Sequence, residues 1–517
     1  MHINPDNPVV LRASRSGAYR RISKILIANR SEIAVRIQAT CRALGIATVA
    51  VYAPEDVSLR FVRTADQAFA LPGSGRAAYM DQEALLEIAL RSGADAVHPG
   101  YGFLAENATF ARRVQAAGLT WVGPRHDLIA LMGDKIGARC TIEQAGVPVV
   151  PGFFADVTKP LACLAAKEHA AVLGYPLMIK DPLGGGGKGM VRVAHADAFQ
   201  NSWDMAVRQA AKLTGSTKLL IERCLENTRH LEVQVAGDGT RAVHFFEREC
   251  SIQRRHQKII EESPCLFVSE ATRARLHELG VKAAQMIGYD SVGTVEFLVT
   301  ADEQCYFLEM NTRLQVEHSV TELTTGVDLV ALQIALAQGQ PLPCQQADIV
   351  QRGHAIECRI YAEDPEQNFF PSTGVIHYFQ PPSVPFMRHD HDLFEGVEIT
   401  SCFDPMIAKV TTYGASRTHA TQFMAEALRQ YGIEGITTNR AFLRSILDSE
   451  IFEIGAFDTA TQFMVAQLET VCQQAAREAA VIIAAVMQQV FAEQPAVPQK
   501  QVGSGWCSDS WKGQQWR

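Results

Sequence analysis

The sequence predicts a chain of mixed α/β and α+β class, with an open parallel sheet at the N-terminus leading into strand-rich units. Three patterns carry that expectation. Lys24 to Tyr52 reads as strand, helix, strand; two short apolar strands flank four consecutive glycines; and the apolar run VGTVEFLVT precedes EMNTRLQVEH, whose residue types alternate. A length of 517 residues, 47% of them hydrophobic and 20% charged, suits several soluble domains, each with its own core.

In Lys24 to Tyr52 an apolar run is followed by Ser31 as a helix cap, by apolar positions Ile33, Ile37, Cys41 and Leu44, and by Gly45 as the stop. This is one βαβ unit of a parallel sheet. Its first turn has no GxGxxG, so a dinucleotide is not implied. Ala94 to Pro99 and Leu119 to Val122 read as further strands, and the glycines and proline of HPGYGFLAEN (His98 to Asn107) mark a tight loop. A helix at about Asp134 to Ala145 ends at Gly146, and Pro148 and Pro151 link it to a second unit, Phe153 to Leu225. That unit reads as strand (Leu177 to Lys180), glycine loop, strand (Met190 to Ala194), helix. A third region, Glu226 to about Gln462, starts with strands and ends with helices such as Ser416 to Gln430. Beyond it lie a Gln- and Ala-rich helix and a polar stretch carrying Trp506, Trp511 and Trp516; there is no internal repeat.

The net charge of −8 argues against a basic surface that grips nucleic acid, so any anion site must be local. Twelve cysteines without a CxxC pair suit a compartment where thiols stay reduced, and a cytoplasmic protein is expected. The apolar run Ala479 to Met487 is too short to span a bilayer, so no membrane is expected. Residues 1–20 read as a disordered extension.

If EMNTRLQVEH is extended, Glu309, Asn311, Arg313, Gln315 and Glu317 share one face. A four-residue hairpin loop, Ala301 to Gln304, would pair Thr300 with Cys305 and set Glu296 opposite Glu309. Opposed carboxylates repel unless a cation lies between them, and Mg²⁺, which takes hard oxygen ligands, fits with the Asn311 amide as a third contact. The glycines Gly184 to Gly187, followed by Lys188, can close on phosphate oxygens and swing as a lid, and Lys180 is a candidate phosphate lysine. ERECSIQRRHQKIIEE gathers Arg248, Arg254, Arg255, His256 and Lys258, a cluster that could concentrate a small anion, although an ion-paired surface loop is its ordinary explanation. A phosphate lid, a two-carboxylate metal site, a cationic anion site and an acid or base at Glu317 together suit ATP-driven activation of a small acid.

The runs KILIANRSEIAVRI, HPGYGFLAENA, LMGDK, GGGGKGM, RHLEVQV, ERECSIQRRHQK, FLEMNTRLQVEH, ECRIYAED and DPMIAK resemble, in this order, a biotin carboxylase of the ATP-grasp superfamily from about Arg21 to Gln462. The resemblance implies a Rossmann-like, pre-ATP-grasp domain over 21–133, an ATP-grasp domain over 134–350 with a mobile glycine-loop lid at about 153–225, a C-terminal biotin-carboxylase domain over 351–462, and a tail over 463–517. It implies MgATP-dependent conversion of bicarbonate to carboxyphosphate and carboxylation of biotin N1′. Lys135, Lys180, Gly186, Gly187, His230, Gln253 and His256 would hold ATP, with Glu222, Arg223, Cys224 and Leu225 at its adenine end. Glu296, Glu309 and Asn311 would hold two Mg²⁺ or Mn²⁺ ions. Lys258, Arg313, Gln315 and Val316 would place bicarbonate, Glu317, lying between Arg313 and Lys258, would take its proton, and Arg359 would stabilise the biotin enolate.

Two departures stand out. Ser319 occupies the third position of what is usually EHPVTE, next to the proposed base, and Asp181-Pro182-Leu183 add charge near Lys180. The chain looks most like the front part of acyl-CoA carboxylase α subunits of the methylcrotonyl, propionyl and geranyl type, with acetyl-CoA also a possible final acceptor. No lysine follows a methionine, so biotin is expected on a separate carrier protein or domain. A carboxyltransferase subunit and a homodimer or larger complex are the implied partners. The alternatives are another ATP-grasp ligase joining a carboxylate to an amine, and a noncatalytic nucleotide-binding subunit of a carboxylase complex.

Overall fold

The computed structural model describes residues 20–184 and 189–460, so Gly186, Gly187 and the expected tail lie outside the described residues. The N-terminal unit carries β1 (Lys24–Ile27), α1 (Ser31–Ala43), β2 (Ala47–Tyr52), β3 (Gln67–Ala70), β4 (Ala96–His98) and β5 (Thr120–Trp121). They form a parallel sheet in the order β3-β2-β1-β4-β5. Strands buried on both faces explain the near-continuous apolar runs, and Leu26, Val49, Val51, Val97 and Trp121 share one core. The strand order reverses between β1 and β4, and at such a switch point the loops leaving the strands' C-terminal ends diverge to make a crevice.

Ser31 does not cap α1. Arg30 is the N-cap residue, without a side-chain cap bond, and Ser31 has a φ of +56°. The turn is held instead from outside the helix: Asn29 donates to the carbonyls of Pro99 and Tyr101, at 2.7 Å each, and Arg30 Nε donates to Asp56 at 2.8 Å. Gly100, at φ +62°, must be glycine because a Cβ there would lie 2.9 Å from the Asn29 amide nitrogen.

The second unit starts with α2 (Lys135–Gln144), capped by the Asp134 side chain. Then β6 (Gly152–Asp156), β7 (Leu177–Lys180), β8 (Met190–Val193) and β9 (Lys218–Arg223) form an antiparallel sheet in the order β6-β9-β7-β8. Lys180 pairs with Met190, so the glycine loop joins two antiparallel strands, unlike a P-loop. Asp181 turns away from Lys180: its carboxylate accepts from Leu183 N at 3.0 Å and from Thr214 Oγ1 at 2.6 Å. The carboxylate added near Lys180 is therefore engaged at the base of the loop.

The third region builds one eight-stranded sheet. It contains β10 (Arg229–Gly237), β11 (Ala242–Arg254), β12 (Gln257–Ser263), α3 (Glu270–Met286), β13 (Val292–Val299), β14 (Cys305–Asn311), α4 (His318–Thr325), β15 (His354–Tyr361), β16 (Met387–His391), β17 (Met406–Gly414) and α5 (Arg417–Gln430). The strand order is β14-β13-β10-β11-β12-β15-β17-β16. Packing of α3 on β10 and β13 buries Leu276, Leu279 and Ala283 against Val233, Val295 and Phe297. Among the described residues no single helix is long and apolar enough to cross a membrane.

The β13–β14 hairpin differs from expectation in two ways that cancel. Val299, not Thr300, pairs with Cys305, so the loop is one residue longer, and a bulge at Leu308 then restores Glu296 opposite Glu309. The strand also stops at Asn311, so Arg313, Gln315 and Glu317 lie on a loop and turn rather than on an extended face.

Candidate functional site

A cleft of about 940 Å³ opens where the loops of the parallel sheet, the glycine hairpin and the large sheet meet. Its lining holds Lys135, Lys180, Glu222, Arg223, Cys224, Leu225, His230, Gln253, His256, Lys258, Glu296, Glu309, Asn311, Arg313, Gln315, Val316 and Arg359. Every described residue expected at the site is thus present except Glu317, which is fully buried behind the wall.

At the nucleotide end, Lys180 Nζ donates to Glu222 at 2.7 Å, and Arg139 holds the other oxygen of the same carboxylate at 2.7 Å. Lys135 donates to the Gly184 carbonyl and lies 4.0 Å from Glu309, tying the base of the glycine loop to the β13–β14 hairpin. Two lysines that rest on a carbonyl and a carboxylate, in a cleft beside the glycine loop, can exchange those partners for phosphate oxygens.

Glu296 is heavily bonded. Its Oε1 accepts from Lys258 at 3.0 Å, Asn311 Nδ2 at 2.9 Å and Gln315 Nε2 at 3.1 Å, and its Oε2 meets His230 Nε2 at 2.9 Å. Burial alone would raise its carboxyl, but Lys258 and His230 hold it well below the usual carboxylate range. Glu309 stands open to the cleft, where enclosure and the Glu296 charge raise its carboxyl. Two carboxylates and an amide are oxygen donors of the kind Mg²⁺ takes while keeping places for phosphate oxygens, so the residues present fit that ion.

The deepest part is a buried lattice of charge. Lys258 Nζ donates to Glu232 at 2.5 Å, Glu317 at 2.7 Å and Glu296, while Arg359 Nη2 donates to the other Glu317 oxygen at 2.9 Å. Glu317 lies between Lys258 and Arg359, not between Lys258 and Arg313. The reason is Glu106, on the tight loop after β4, whose carboxylate takes Arg313 Nε at 2.8 Å and Thr312 N at 3.1 Å. Burial raises the Glu317 carboxyl less than Lys258, Arg359 and Arg248 lower it, so it is firmly ionised. Glu317 is the N-cap residue of α4 but makes no cap bond, which leaves its side chain for these cations.

The arginines of the cationic cluster are paired, as its ordinary explanation has it, but Arg248 is paired in the interior and not on a surface loop. Arg248 is fully buried, donating to Glu232, Gln234, Thr294 and Thr321. Arg254 binds Glu363 at 2.7 Å and Arg255 binds Asn368, which leaves His256 and Lys258 facing the cleft. Ser319 does not disturb the turn after Glu317: it sits inside α4 and donates to Glu357, with Thr411 Oγ1 at 2.7 Å. Sequence reasoning missed Glu106, Arg139, Glu232 and Lys409, the last of which is fully buried and donates to the Val316 carbonyl. Glu232, in RHLEVQV, could have been found as a second lone carboxylate inside an apolar strand, the signal that singled out Glu296.

Three family descriptions match the chain in tandem: the biotin carboxylase N-terminal domain over residues 21–129, the ATP-binding domain of the carbamoyl-phosphate synthase L chain over 134–345, and the biotin carboxylase C-terminal domain over 357–464. The biotin carboxylase of Halalkalibacterium halodurans is 46% identical over 443 residues, covering 84% of this chain and 96% of its own. The mitochondrial methylcrotonoyl-CoA carboxylase subunit alpha of Glycine max is 44% identical over 86% of this chain, which spans 61% of that longer protein. Among solved structures, the biotin carboxylase domain dimer of Hydrogenobacter thermophilus 2-oxoglutarate carboxylase, in complex with MgADP, ADP and bicarbonate, superposes with a TM-score of 0.83 at 40% identity, covering 88% of this chain and 99% of that one.

Proposed function

Because the chain belongs to the biotin carboxylase family, we propose that it uses MgATP and bicarbonate to carboxylate biotin held on a separate carrier, as the biotin carboxylase component of an acyl-CoA carboxylase. The observation that carries this reading is the Glu317 carboxylate, buried between Lys258 and Arg359 and bordering a cleft that also holds Glu296, Glu309, Lys135 and Lys180.

Lys135, Lys180, His230, Gln253 and His256 bind the nucleotide with the glycine loop, and Glu222 to Leu225 receive its adenine end. Glu296, Glu309 and Asn311 would hold Mg²⁺ or Mn²⁺, which would supply neutralisation of phosphate charge. Bicarbonate is an anion, so its arrival beside Lys258, Arg313 and the Val316 backbone competes for cations now resting on Glu317 and Glu106. One Glu317 oxygen is released as Lys258 turns to the substrate, and this freed oxygen takes the bicarbonate proton. Arg359, already at this carboxylate, is placed to stabilise negative charge on the ureido oxygen of biotin. The partners are a biotin carrier and a carboxyltransferase, the enzyme works in the cytoplasm, and it acts as a homodimer or within a larger carboxylase complex.

The test is ADP release by the purified chain. Release that requires bicarbonate and rises with free biotin, with labelled carbon from bicarbonate appearing on biotin, is expected. Release driven by an amine acceptor without bicarbonate would instead make it a carboxylate–amine ligase.

A further inference from the structure

Behind Glu317 two more carboxylates are paired across the sheet, and among the described residues no cation is hydrogen-bonded to both. Glu261 on β12 and Glu357 on β15 are directly opposed, so their side chains project from the same face, and both are fully buried. Each has one oxygen engaged. Glu261 Oε1 accepts from Arg359 Nε at 2.6 Å, and Glu357 Oε2 accepts from Ser319 Oγ and from Thr411 Oγ1 at 3.2 Å. Glu261 Oε2 and Glu357 Oε1 have no donor among the described residues. A buried charged oxygen without a donor is expensive, and two like charges opposed across a ladder make it more so.

The surrounding charges do not remove the problem. Arg248, Lys258, Arg359 and Lys409 face Glu232, Glu296, Glu317, Glu261 and Glu357, one more carboxylate than cations. Around the pair itself stand Lys258 from its own strand, Arg359, Cys358 and Tyr361 from β15, Lys409 from β17, Glu317 before α4, Asp390 from β16, and Glu32 from α1. Lys409 is 3.7 Å from Glu357 but is shared with Asp390 and the Val316 carbonyl.

We propose that Glu261 and Glu357 share one proton in the working enzyme, and that this acid pair is a positioning device for Arg359. The proton supplies the missing donor and leaves one charge where two could not stably coexist. Arg359 is divided between Glu261 and Glu317, so the charge on the pair decides how strongly the guanidinium is drawn away from the reacting side. Burial raises both carboxyls, that of Glu261 to about 8, in keeping with a proton retained at neutral pH. Ser319, which departs from the usual proline, gives Glu357 a hydroxyl donor that a proline lacks.

The inference rests on the roles proposed for Arg359 and Glu317, but the proton can be read without any turnover. Infrared spectra of the full chain are recorded from neutral to alkaline pH in a Glu32→Gln background, which removes another buried acid. The expected result is a carboxylic-acid C=O band at neutral pH that fades on alkalinisation and is lost in both Glu261→Gln and Glu357→Gln. In turnover, biotin-dependent activity of the parent is expected to fall as the pair loses its proton at alkaline pH, and Glu357→Gln is expected to lack that fall, with the change in kcat rather than in the KM for ATP. Absence of the band at neutral pH, or its persistence in either variant, overturns the proposal; if the glutamine variants do not fold, Glu357→Asp is recorded instead, and a band left unshifted by it overturns the proposal. A chain that shows the band but does not carboxylate biotin keeps the proton-sharing pair and overturns the activity.

Discussion

Glu317 is strongly ionised, which is compatible with the base role proposed for it. Its two oxygens are spoken for by Lys258 and Arg359, so reactivity depends on an anion displacing one of them rather than on a raised carboxyl. Glu317→Gln keeps the shape and removes the proton acceptor. Bicarbonate-dependent ADP release should fall by about 10²- to 10⁴-fold, the usual worth of a general base, while ATP affinity measured by calorimetry stays near the parent value. Arg248 plays the opposite part, touching no cleft and holding Glu232 in place beneath Lys258. Arg248→Met leaves Glu232 short of a partner, and urea denaturation should register a loss of about 3–5 kcal/mol, typical of breaking a buried ion pair.

At the level of elements, the strands flanking the glycine loop carry an anchor outside the loop itself. Asp181 fastens Leu183 and Thr214 at the base of the loop between β7 and β8. Asp181→Ala frees both, so the KM for ATP should rise about tenfold with little change in thermal midpoint, and an unchanged KM would remove the anchor from the account of nucleotide binding. The helix α1 carries a buried acid, Glu32, with one oxygen lacking a donor and its carboxyl pushed by burial up to about 8. Much of this architecture was legible in the chain. The βαβ unit and the glycine loop between two strands follow from periodicity and turn residues, which are local, whereas the Glu296–Glu309 opposition was reached through a register one residue off that the bulge restores. What was not legible depended on contacts distant in sequence. Ser31 looks like a cap until Asn29 and Arg30 are seen to be held by Pro99, Tyr101 and Asp56. The Leu308 bulge leaves no compositional mark, and Arg313 pairs with Glu106 across 207 positions of chain. Charged residues declare a site by their types, but which cation meets which carboxylate is decided by the fold.

For the molecule as a whole, the buried titratable groups set how stability varies with pH, and they act in opposite senses. Glu296, Glu317 and Asp390 are held below their ordinary values by neighbouring cations, so the unfolded chain binds their protons first and stability is lost as pH falls below about 4.5. Burial depresses His98 and His389 to about 3 and His244 and His391 to about 4. These imidazoles take up protons more readily when unfolded, which makes stability climb with pH up to the ordinary histidine value near 6.5. Glu32 and Glu261 act the other way: with folded values near 8 they hold protons that the unfolded chain releases above 4.5, so stability declines as pH rises toward 8. Above about pH 6.5 the depressed histidines no longer contribute while Glu32 and Glu261 still hold their protons, so the thermal midpoint should fall from there toward pH 8. Glu32→Gln mimics the protonated acid and should remove part of the alkaline decline, by up to about 1.4 kcal/mol for each pH unit spanned. Thermal melts of the parent and the variant across this range provide the check. A parent midpoint still climbing at pH 8 would mean that Glu32 and Glu261 are ionised in the folded chain, with a counter-charge inside the protein that the present arrangement of lysines and arginines does not supply.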